Sequence, residues 1–281
     1  MSRGAAAIEY QHVFKRFDGA NYNAVNDVDL SINEGEFITI LGSSGSGKTT
    51  LLKMTNRLYD PDKGNIILFG ENIRDVDAVQ VRRRIGYVIQ QVGLLPHMTV
   101  VQNIAIVPKL LKWDKKRIDS RARELLNLVG LAPDEFMSRY PAQLSGGQQQ
   151  RVGLARALAV DPKIMLLDEP FGAIDAINRL NLQDELKRIH KSFGDGVKKT
   201  FLFVTHDINE ALKLGTRVIV MNEGRVCQFD TPENIAKNPA DGFVESLIRS
   251  CREQGGGLMM SKWSSSTSSS ASQEKFWEGL V

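Results

Sequence analysis

Large side chains recur along this chain in patterns that separate predicted strands from predicted helices. In two N-terminal segments every second position carries one, at Ile8, Tyr10, His12 and Phe14, and then at Val28, Leu30 and Ile32. A period of two is typical of half-buried β-strands. The run at residues 65–69, between Gly64 and Gly70, predicts one more strand. The first part of the chain is therefore predicted to be β-rich.

Apolar runs indicate buried strands farther along. They lie at residues 37–41, 164–167 and 201–204. Residues 218–221 and 226–229 flank Asn222, Glu223 and Gly224, which predict a hairpin turn. The spacing at residues 114–130 and 178–193 is helical instead, and residues 91–158 are predicted to form a helical insert. Buried strands that alternate with helices predict an α/β fold with a largely parallel sheet.

A glycine-rich segment directly follows the buried run at 37–41. Its residues are Gly42, Ser43, Ser44, Gly45, Ser46, Gly47, Lys48, Thr49 and Thr50, and a helix is predicted to follow. A strand, such a turn and a helix are the context of a phosphate-binding loop, because turn amides and a helix N-terminus face the anion. Lys48 is expected to reach the β- and γ-phosphates, and Thr49 to bind Mg²⁺. A flexible Ser/Gly turn is the alternative.

Two acidic residues follow the buried run at 164–167. A carboxylate at the end of a buried strand is costly unless a positive group meets it. Mg²⁺ held between Thr49 and Asp168 would be that group. Glu169 is then placed to polarise a water for attack on a γ-phosphate. An acidic pair in a surface turn is the alternative.

A second glycine motif, at residues 144–148, precedes another predicted helix. Ser145 is expected to cap that helix, and Gly146, Gly147 and Gln148 follow it. On its own such a motif indicates only a helix start. It gains meaning here because a phosphate-binding loop lies about a hundred residues upstream.

In their order and spacing these motifs resemble those of an ABC-type ATPase. The phosphate loop, residues 144–148, residues 166–170 and residues 204–207 all match, and the resemblance covers residues 8–248. It implies a P-loop NTPase (RecA-like) fold with a mostly parallel core sheet, an N-terminal antiparallel β subdomain and an α-helical subdomain. Residues 1–250 would form the ATPase domain, with the helical subdomain at about 91–158. More narrowly, residues 85–91, 96–100 and 107–111 look like the ATPase subunits of importers of quaternary amines such as glycine betaine, carnitine and choline.

The resemblance also implies roles for individual residues. Gln90 matches the glutamine that senses Mg²⁺, and His206 matches the histidine that contacts the γ-phosphate. Asp175 lies in a loop that crosses the dimer interface in this family, which more often has Leu where Ile174 stands. Phe17 occupies the place of an aromatic residue that stacks on adenine, although Tyr22 is a nearby rival.

ATP and Mg²⁺ are thus the expected ligands, and further chains are the expected partners. In this family the motif at Ser145 closes over ATP bound to another protomer, so a homodimer with two equivalent sites is implied. Integral membrane permease subunits, and indirectly a substrate-binding protein, would complete a transporter. Residues 96–98 are the candidate docking surface for the permease, with ordinary packing of the insert as the alternative.

Composition limits the other possibilities. The net charge of the 281 residues is only +3, so no nucleic-acid partner is expected. No apolar run approaches the roughly 18 residues of a membrane span, and no secretion signal is recognised. The two cysteines, Cys227 and Cys251, have no metal-ligand spacing and fit a reducing compartment. The chain is therefore expected to lie at the cytoplasmic face of the plasma membrane, bound to its permease.

The C-terminal residues 251–281 are rich in glycine and serine and are expected to form a flexible tail. Its aromatic residues could dock elsewhere on the protein. Longer relatives continue into regulatory modules, so regulation here is expected to come from elsewhere. Two alternatives to an osmoprotectant importer remain, namely an ATPase of a transporter for another solute, such as an amino acid, and an ABC-type ATPase that acts on DNA or ribosomes.

Overall fold

The computed structural model describes residues 5–90, 92–172, 174–193, 199–240 and 242–253. The strands are β1 (Ala6–Lys15), β2 (Val25–Asn33), β3 (Phe37–Gly42), β4 (Lys63–Leu68), β5 (Glu71–Asn72), β6 (Ile85–Val88), β7 (Ile164–Asp168), β8 (Thr200–Thr205), β9 (Arg217–Asn222) and β10 (Arg225–Asp230). The helices are α1 (Lys48–Thr55), α2 (Ala78–Arg83), α3 (Val100–Ile104), α4 (Ile106–Leu110), α5 (Lys115–Leu128), α6 (Pro133–Phe136), α7 (Gly146–Ala157), α8 (Ala176–Ser192), α9 (Ile208–Leu214), α10 (Pro232–Lys237) and α11 (Phe243–Cys251).

A six-stranded sheet of order β10-β9-β3-β8-β7-β6 forms the centre of the molecule. Its strands are parallel except β10, which returns antiparallel beside β9. The turn between these two strands contains Glu223 at φ 47° and Gly224 at φ 76°, as expected for a tight hairpin whose turn residues are both left-handed. The mostly parallel sheet and the hairpin agree with the prediction from sequence.

Helices and a second sheet cover the two faces of the central sheet. In β8, Phe201 and Phe203 pack with α5, α7 and α8 on one face, whereas Leu202 and Val204 pack with α1 and the N-terminal strands on the other. Because both faces are covered, every residue of β3, β7 and β8 is buried, which explains why these strands are mostly apolar.

The second sheet is antiparallel and has the order β2-β1-β4-β5. The alternation predicted for β1 fails at its centre. His12 has φ 49° and is exposed, and the pairing with both neighbouring strands shifts register at this point. Val13 is buried instead, so the buried face moves from even to odd positions across this irregularity.

In chain order, helices α3 to α7 all come between β6 and β7. Helix α5 is capped by the Asp114 side chain and buries Ile118, Ala122, Leu125 and Leu126, so its predicted spacing is confirmed. Helix α11 ends at Cys251, and the predicted tail lies almost entirely outside the described residues. Within the described ranges, none of the helices combines the length and apolar character needed to cross a membrane.

Candidate nucleotide-binding site

The strand order brings four of the predicted motifs to one edge of the central sheet. Neighbouring parallel strands β3, β8, β7 and β6 end side by side, since Leu41 pairs with Thr205 and Asp168 pairs with Val204. The glycine-rich loop follows β3, and the segments with His206, Glu169 and Gln90 follow β8, β7 and β6. Ligands of open α/β sheets bind at this carboxyl edge.

Two glycines of the loop are required by close backbone approaches. A Cβ atom at Gly42 would lie 2.2 Å from the carbonyl oxygen of Met221, and one at Gly47 would lie 2.2 Å from that of Ala24. Gly47 also has φ 98° and forms the N-terminal end of α1 without a capping side chain. The loop is therefore packed tightly against two other segments, and this packing fixes its shape.

Lys48 is buried at the base of this loop. Its Nζ donates hydrogen bonds of 2.9 Å to the Gly42 carbonyl and 2.7 Å to the Ser43 carbonyl. Burial lowers the pKa of Lys48, while the nearby carboxylates of Glu169 and Asp168 act in the opposite direction. The ammonium group is thus held inside the loop that the sequence assigns to phosphate.

Asp168 is a buried carboxylate that is surrounded by hydroxyl groups. The Thr49 hydroxyl donates to its Oδ1 at 2.8 Å, and the Tyr87 hydroxyl donates to its Oδ2 at 3.3 Å. Burial raises the pKa of Asp168. The pKa of Tyr87 is also raised, first by burial and then by the charge of the nearby Asp168. Tyr87 was not predicted as a site residue. The feature that could have indicated it is its position on β6, one residue before the end of that strand. Strand β6 pairs with β7, which carries Asp168.

The residues around Asp168 fit a bound Mg²⁺. Thr49 and Asp168 supply a hydroxyl and a carboxylate, which are hard donors of the kind that this ion prefers, and the Gln90 side chain contacts the next residue, Glu169. Within the described ranges no group of three or more His, Cys, Asp and Glu side chains is arranged to hold a metal. A cation shared with phosphate oxygens needs only one or two carboxylates, so this donor set is adequate for it.

Glu169 lies at the meeting point of three strand ends. Its Oε2 accepts a hydrogen bond of 3.3 Å from the Gln90 side chain and lies 3.4 Å from Nδ1 of His206. Its backbone has φ 44°, a left-handed conformation that is unfavourable for Glu, and its amide donates to the Val204 carbonyl at 3.1 Å. Such local strain persists only where surrounding structure enforces it, and it clusters at functional sites.

A buried network supports the segment that carries His206. The Thr205 hydroxyl donates to Glu210 at 2.6 Å, and the Gln183 amide donates to the other oxygen of this carboxylate at 3.0 Å. Burial raises the pKa of Glu210 despite these donors. Asp207 then caps α9 by accepting from the amide of Asn209 at 2.8 Å. The position of His206 is thereby fixed from both sides.

The motif at residues 144–148, called the signature segment, is built by local contacts. Ser145 caps α7, since its hydroxyl accepts from the Gln148 amide at 3.3 Å while the Gln148 side chain accepts from the Ser145 amide at 3.0 Å. Ser145 and Gly146 are exposed. No hydrogen bond or ion pair joins this segment to residues 42–50 in the part of the chain that the structure describes. Asp175 is likewise exposed, at the start of α8.

The two candidate adenine-stacking residues differ in their surroundings. Phe17 is 38% exposed and packs edge-to-face against Tyr59, with ring centroids 5.2 Å apart. Tyr22 is 69% exposed. The Lys15 ammonium also lies 5.7 Å from the centre of the Phe17 ring, so Phe17 is held by two neighbouring side chains and Tyr22 is the more exposed of the two.

Several known proteins are similar to this chain over most of its length. The family model described as ABC transporter matches residues 25–172. The carnitine transport ATP-binding protein OpuCA of Listeria monocytogenes is 52% identical over 86% of this chain, which spans 59% of that protein's length. The glycine betaine uptake system ATP-binding protein YehX of Escherichia coli is 52% identical over 86% of this chain and 76% of its own.

A relative named for a different solute and a solved structure complete the comparison. The sulfate/thiosulfate import ATP-binding protein CysA 2 of Agrobacterium fabrum is 48% identical over 86% of this chain and 68% of its own. A dimeric ATP-binding cassette bound to ADP and Pi superposes with a TM-score of 0.70 at 35% identity, over 80% of this chain and 98% of its own. The sequence and the fold agree, and this chain belongs to the ABC transporter family as an ATP-binding domain.

Proposed function

We propose that this chain binds MgATP at the carboxyl edge of its central sheet and hydrolyses it to power solute import. The observation that carries this proposal is that Thr49 contacts Asp168, while Gln90 and His206 both contact the next residue, Glu169. A buried acid with hydroxyl partners and a second acid that faces a histidine and an amide form the arrangement that phosphoryl transfer to water requires.

Each residue has a proposed part in the reaction. The amides of residues 42–50 and the Lys48 ammonium bind the phosphates, and Thr49, Asp168 and Gln90 are the side chains that would hold Mg²⁺. That ion, when bound, neutralises charge on the phosphate oxygens. Glu169 accepts a proton from water as the water oxygen bonds to the γ-phosphorus. The bond to the β–γ bridging oxygen then breaks, and the electron pair leaves with ADP.

His206 and Phe17 position the substrate in this scheme. His206 lies within contact distance of Glu169, where its ring can donate to a γ-phosphate oxygen while the carboxylate orients the water. Phe17 stacks on the adenine ring. Neither residue forms or breaks a bond, so both contribute through geometry and charge.

A second copy of the chain is proposed to complete each site. The signature segment presents a helix N-terminus on an exposed surface, where it can receive the γ-phosphate of ATP held by the partner copy. Asp175 lies in the same proposed interface. The dimeric cassette described above supports this arrangement, because it superposes on 80% of this chain. Loss of the γ-phosphate then removes contacts between the copies and lets them separate.

The chain is proposed to act beneath a membrane permease. Relatives that are about half identical to it are named for carnitine transport and glycine betaine uptake, and those names are the support for this partner and for an indirect link to a substrate-binding protein. The proposed docking surface is residues 96–98. The buried Asn103 holds this loop, donating to the carbonyls of Met98 at 3.0 Å and Leu95 at 3.2 Å. Residues 1–250 are the proposed ATPase domain, with residues 91–158 as its helical part.

The proposed solutes are quaternary amines such as glycine betaine, carnitine and choline. An inorganic anion is the second candidate, because a sulfate/thiosulfate relative is almost as similar to this chain. Uptake of labelled betaine, choline, carnitine and sulfate should be compared in cells that lack the chain, cells that carry it and cells that carry Glu169→Gln. Amine uptake that depends on the unmodified chain supports the proposal. If cells that lack the chain lose only sulfate uptake, the proposed solute is an inorganic anion and not a quaternary amine. If Glu169→Gln leaves the ATPase activity unchanged, the proposed catalytic role of Glu169 is wrong.

A further inference from the structure

A cavity lies at the edge of the central sheet that is opposite to the nucleotide-binding site. Strands β6 and β7 begin at Ile85 and Ile164, and both of these residues line it. The rest of its wall comes from residues 68–84 and 160–163, and it is called the amino-edge cavity. Its volume is about 440 Å³, within the range of roughly 300–1,000 Å³ that is typical of small-molecule sites.

The floor of the amino-edge cavity is apolar. It contains Ile73, Val81, Ile85 and Ile164, and all four belong to the buried core between the central sheet and the N-terminal sheet. Aliphatic side chains offer no hydrogen bonds to water, and removal of apolar surface from water is favourable. The floor therefore favours the hydrocarbon body of a ligand.

The acidic residues of the cavity wall already have cationic partners. Glu71 accepts a hydrogen bond of 2.6 Å from Arg84, which also lines the cavity. Asp161 lies 2.7 Å from the ammonium of the fully buried Lys199. Because both carboxylates are paired, neither of them leaves an uncompensated negative charge in the cavity.

Two cations on the wall lack such a partner. Arg83 and Lys163 line the cavity and are exposed, and no carboxylate within the described ranges forms an ion pair with either of them. The Lys163 ammonium lies 5.3 Å from the centre of the Phe69 ring, which is close enough for cation–π attraction. Positive charge thus stands beside an aromatic ring, above an apolar floor.

Phe69 is an unusual residue for its position in the chain. It forms the turn between β4 and β5 with Gly70, and the two residues have φ 50° and φ 81°. Two-residue turns with both residues left-handed favour Asn or Asp before Gly, and a bulky residue is strained there. Because the Phe69 ring is 40% exposed, burial in the core does not explain this choice, whereas a place on the cavity wall does.

We propose that the amino-edge cavity binds a small organic anion with an apolar body, such as an aryl or alkyl carboxylate or sulfonate. The floor holds the apolar body, Phe69 contacts it from the side, and Lys163 and Arg83 attract the anionic group. Charge complementarity selects an anion, and the volume selects a free small molecule. The site is separate from the nucleotide edge, so this proposal stands independently of the proposed function.

Two fluorescent probes that differ by one charged group test this proposal on the full chain. 8-Anilinonaphthalene-1-sulfonate is an aromatic anion, and N-phenyl-1-naphthylamine has the same body without the sulfonate. One sulfonate probe should bind per chain, about tenfold more tightly than the neutral probe, which is the value of one hydrogen bond to a charged group. Equal affinities would overturn the preference for an anion. Displacement of the sulfonate probe by MgATP would place it at the nucleotide edge and overturn the site.

Removal of the two unpaired cations tests their role. Lys163→Gln together with Arg83→Gln should abolish the preference for the sulfonate probe and leave the affinity for the neutral probe unchanged. The matched control is Lys115→Gln with Lys116→Gln, which changes the net charge equally at exposed positions of α5 outside the cavity. If both double variants weaken the sulfonate probe equally, the attraction comes from net charge and the proposal is wrong.

Phe69→Asn separates the site from the stability of the fold. Asn suits this turn, so the Tm should stay the same or rise, whereas the affinity for both probes should fall about three- to tenfold with loss of the aromatic contact. Unchanged affinity for both probes would overturn the site. If self-association of the chain weakens at the same time, the cavity is a contact surface between copies. A chain that binds the sulfonate probe as expected but binds no MgATP would overturn the proposed function and leave this site intact.

Discussion

The two regions assigned to ATP in this chain are built in opposite ways. At the carboxyl edge of the central sheet, contacts join residues that are far apart in sequence, such as Thr49 and Asp168, which are 119 positions apart. At the signature segment, the capping contacts join Ser145 only to Gln148, three positions away. The first region is partly buried and crossed by hydrogen bonds, whereas the second is an exposed helix start.

This difference shows which region is prepared for chemistry within a single copy. Buried and hydrogen-bonded groups are already fixed in place, so the sheet edge can orient phosphate and water without further ordering. An exposed helix N-terminus has polar groups that remain available to an incoming anion. We therefore expect one copy to supply the residues that bind phosphate and water and, separately, a surface that completes the site of another copy, and the following changes test that division.

The largest effect is expected at the sheet edge from Glu169→Gln. Removal of the proton acceptor should lower kcat for ATP hydrolysis by about 10²–10⁴-fold, because general-base catalysis contributes that much. ATP binding should persist, and the dimer should become long-lived. Steady-state hydrolysis and size-exclusion chromatography with ATP measure both. Glu71→Gln, which changes an exposed glutamate paired with Arg84, serves as the control and should hydrolyse ATP normally.

Gly146→Asp should disable the exposed region alone. A side chain at Gly146 meets nothing within 4 Å in its own copy, and an acidic residue in the first turn of a helix is favourable, so the fold should keep its stability. Facing a partner's γ-phosphate, the new charge should lower hydrolysis by about 100-fold through like-charge repulsion. ATP affinity measured on single copies should not change. Gly146→Ala is the control, and equal activity of the two variants would contradict the assignment of this surface.

Lys48→Ala should weaken ATP binding by about 10- to 100-fold, the value of one or two hydrogen bonds to a charged group. Isothermal titration with MgATP measures this loss, and Lys63→Ala on the surface of β4 is the control. Unchanged affinity for ATP in Lys48→Ala would contradict the assignment of the glycine-rich loop as the phosphate-binding loop.

Phe17→Ala should weaken binding of ATP about five- to tenfold, which is the lower end of the roughly 1–3 kcal/mol that base stacking on an aromatic ring contributes. Tyr22→Ala should have little effect. The same two variants with inorganic triphosphate in place of ATP should be indistinguishable, because triphosphate has no base. The reverse ranking with ATP would transfer the stacking role to Tyr22.

The smallest effect concerns stability and its dependence on pH. Burial raises the pKa of Asp168, so the folded chain favours its protonated form; this contribution is present at low pH and is lost as pH rises through the folded pKa. Asp168→Asn, which never ionises, should therefore gain free energy of unfolding relative to the unmodified chain as pH rises from about 4.5 to 8. Urea unfolding of both chains without nucleotide measures this trend.

The sequence was sufficient to predict features that depend on short-range patterns. The apolar runs of β3, β7 and β8 predicted strands that bury both faces, and the residues after those runs lie together because parallel strands end at one edge. The α/β fold and the helix at 115–128 were predicted for the same reason. Family resemblance supplied the roles of Gln90 and His206, which pattern alone did not distinguish from ordinary strand-end residues.

Features that depend on which strands and helices become neighbours were missed. The alternation in β1 failed at His12, because pairing with β2 and β4 imposes a register shift that the local pattern does not contain. Tyr87 reaches Asp168 only because β6 pairs with β7. Phe69 meets Lys163 only because the turn after β4 lies beside the start of β7, more than ninety positions later in the chain. No local periodicity reports such contacts.

Crosslinking between two copies tests the central claim most directly. Ser44→Cys in one copy and Gly146→Cys in the other place thiols at exposed positions of the phosphate loop and the signature segment, in chains that also carry Glu169→Gln and Cys227→Ser. A bifunctional thiol reagent should yield a covalent dimer of two 31.3 kDa chains only with MgATP. If ATP binds and no such dimer forms, the nucleotide is not enclosed between two copies, and the account is wrong.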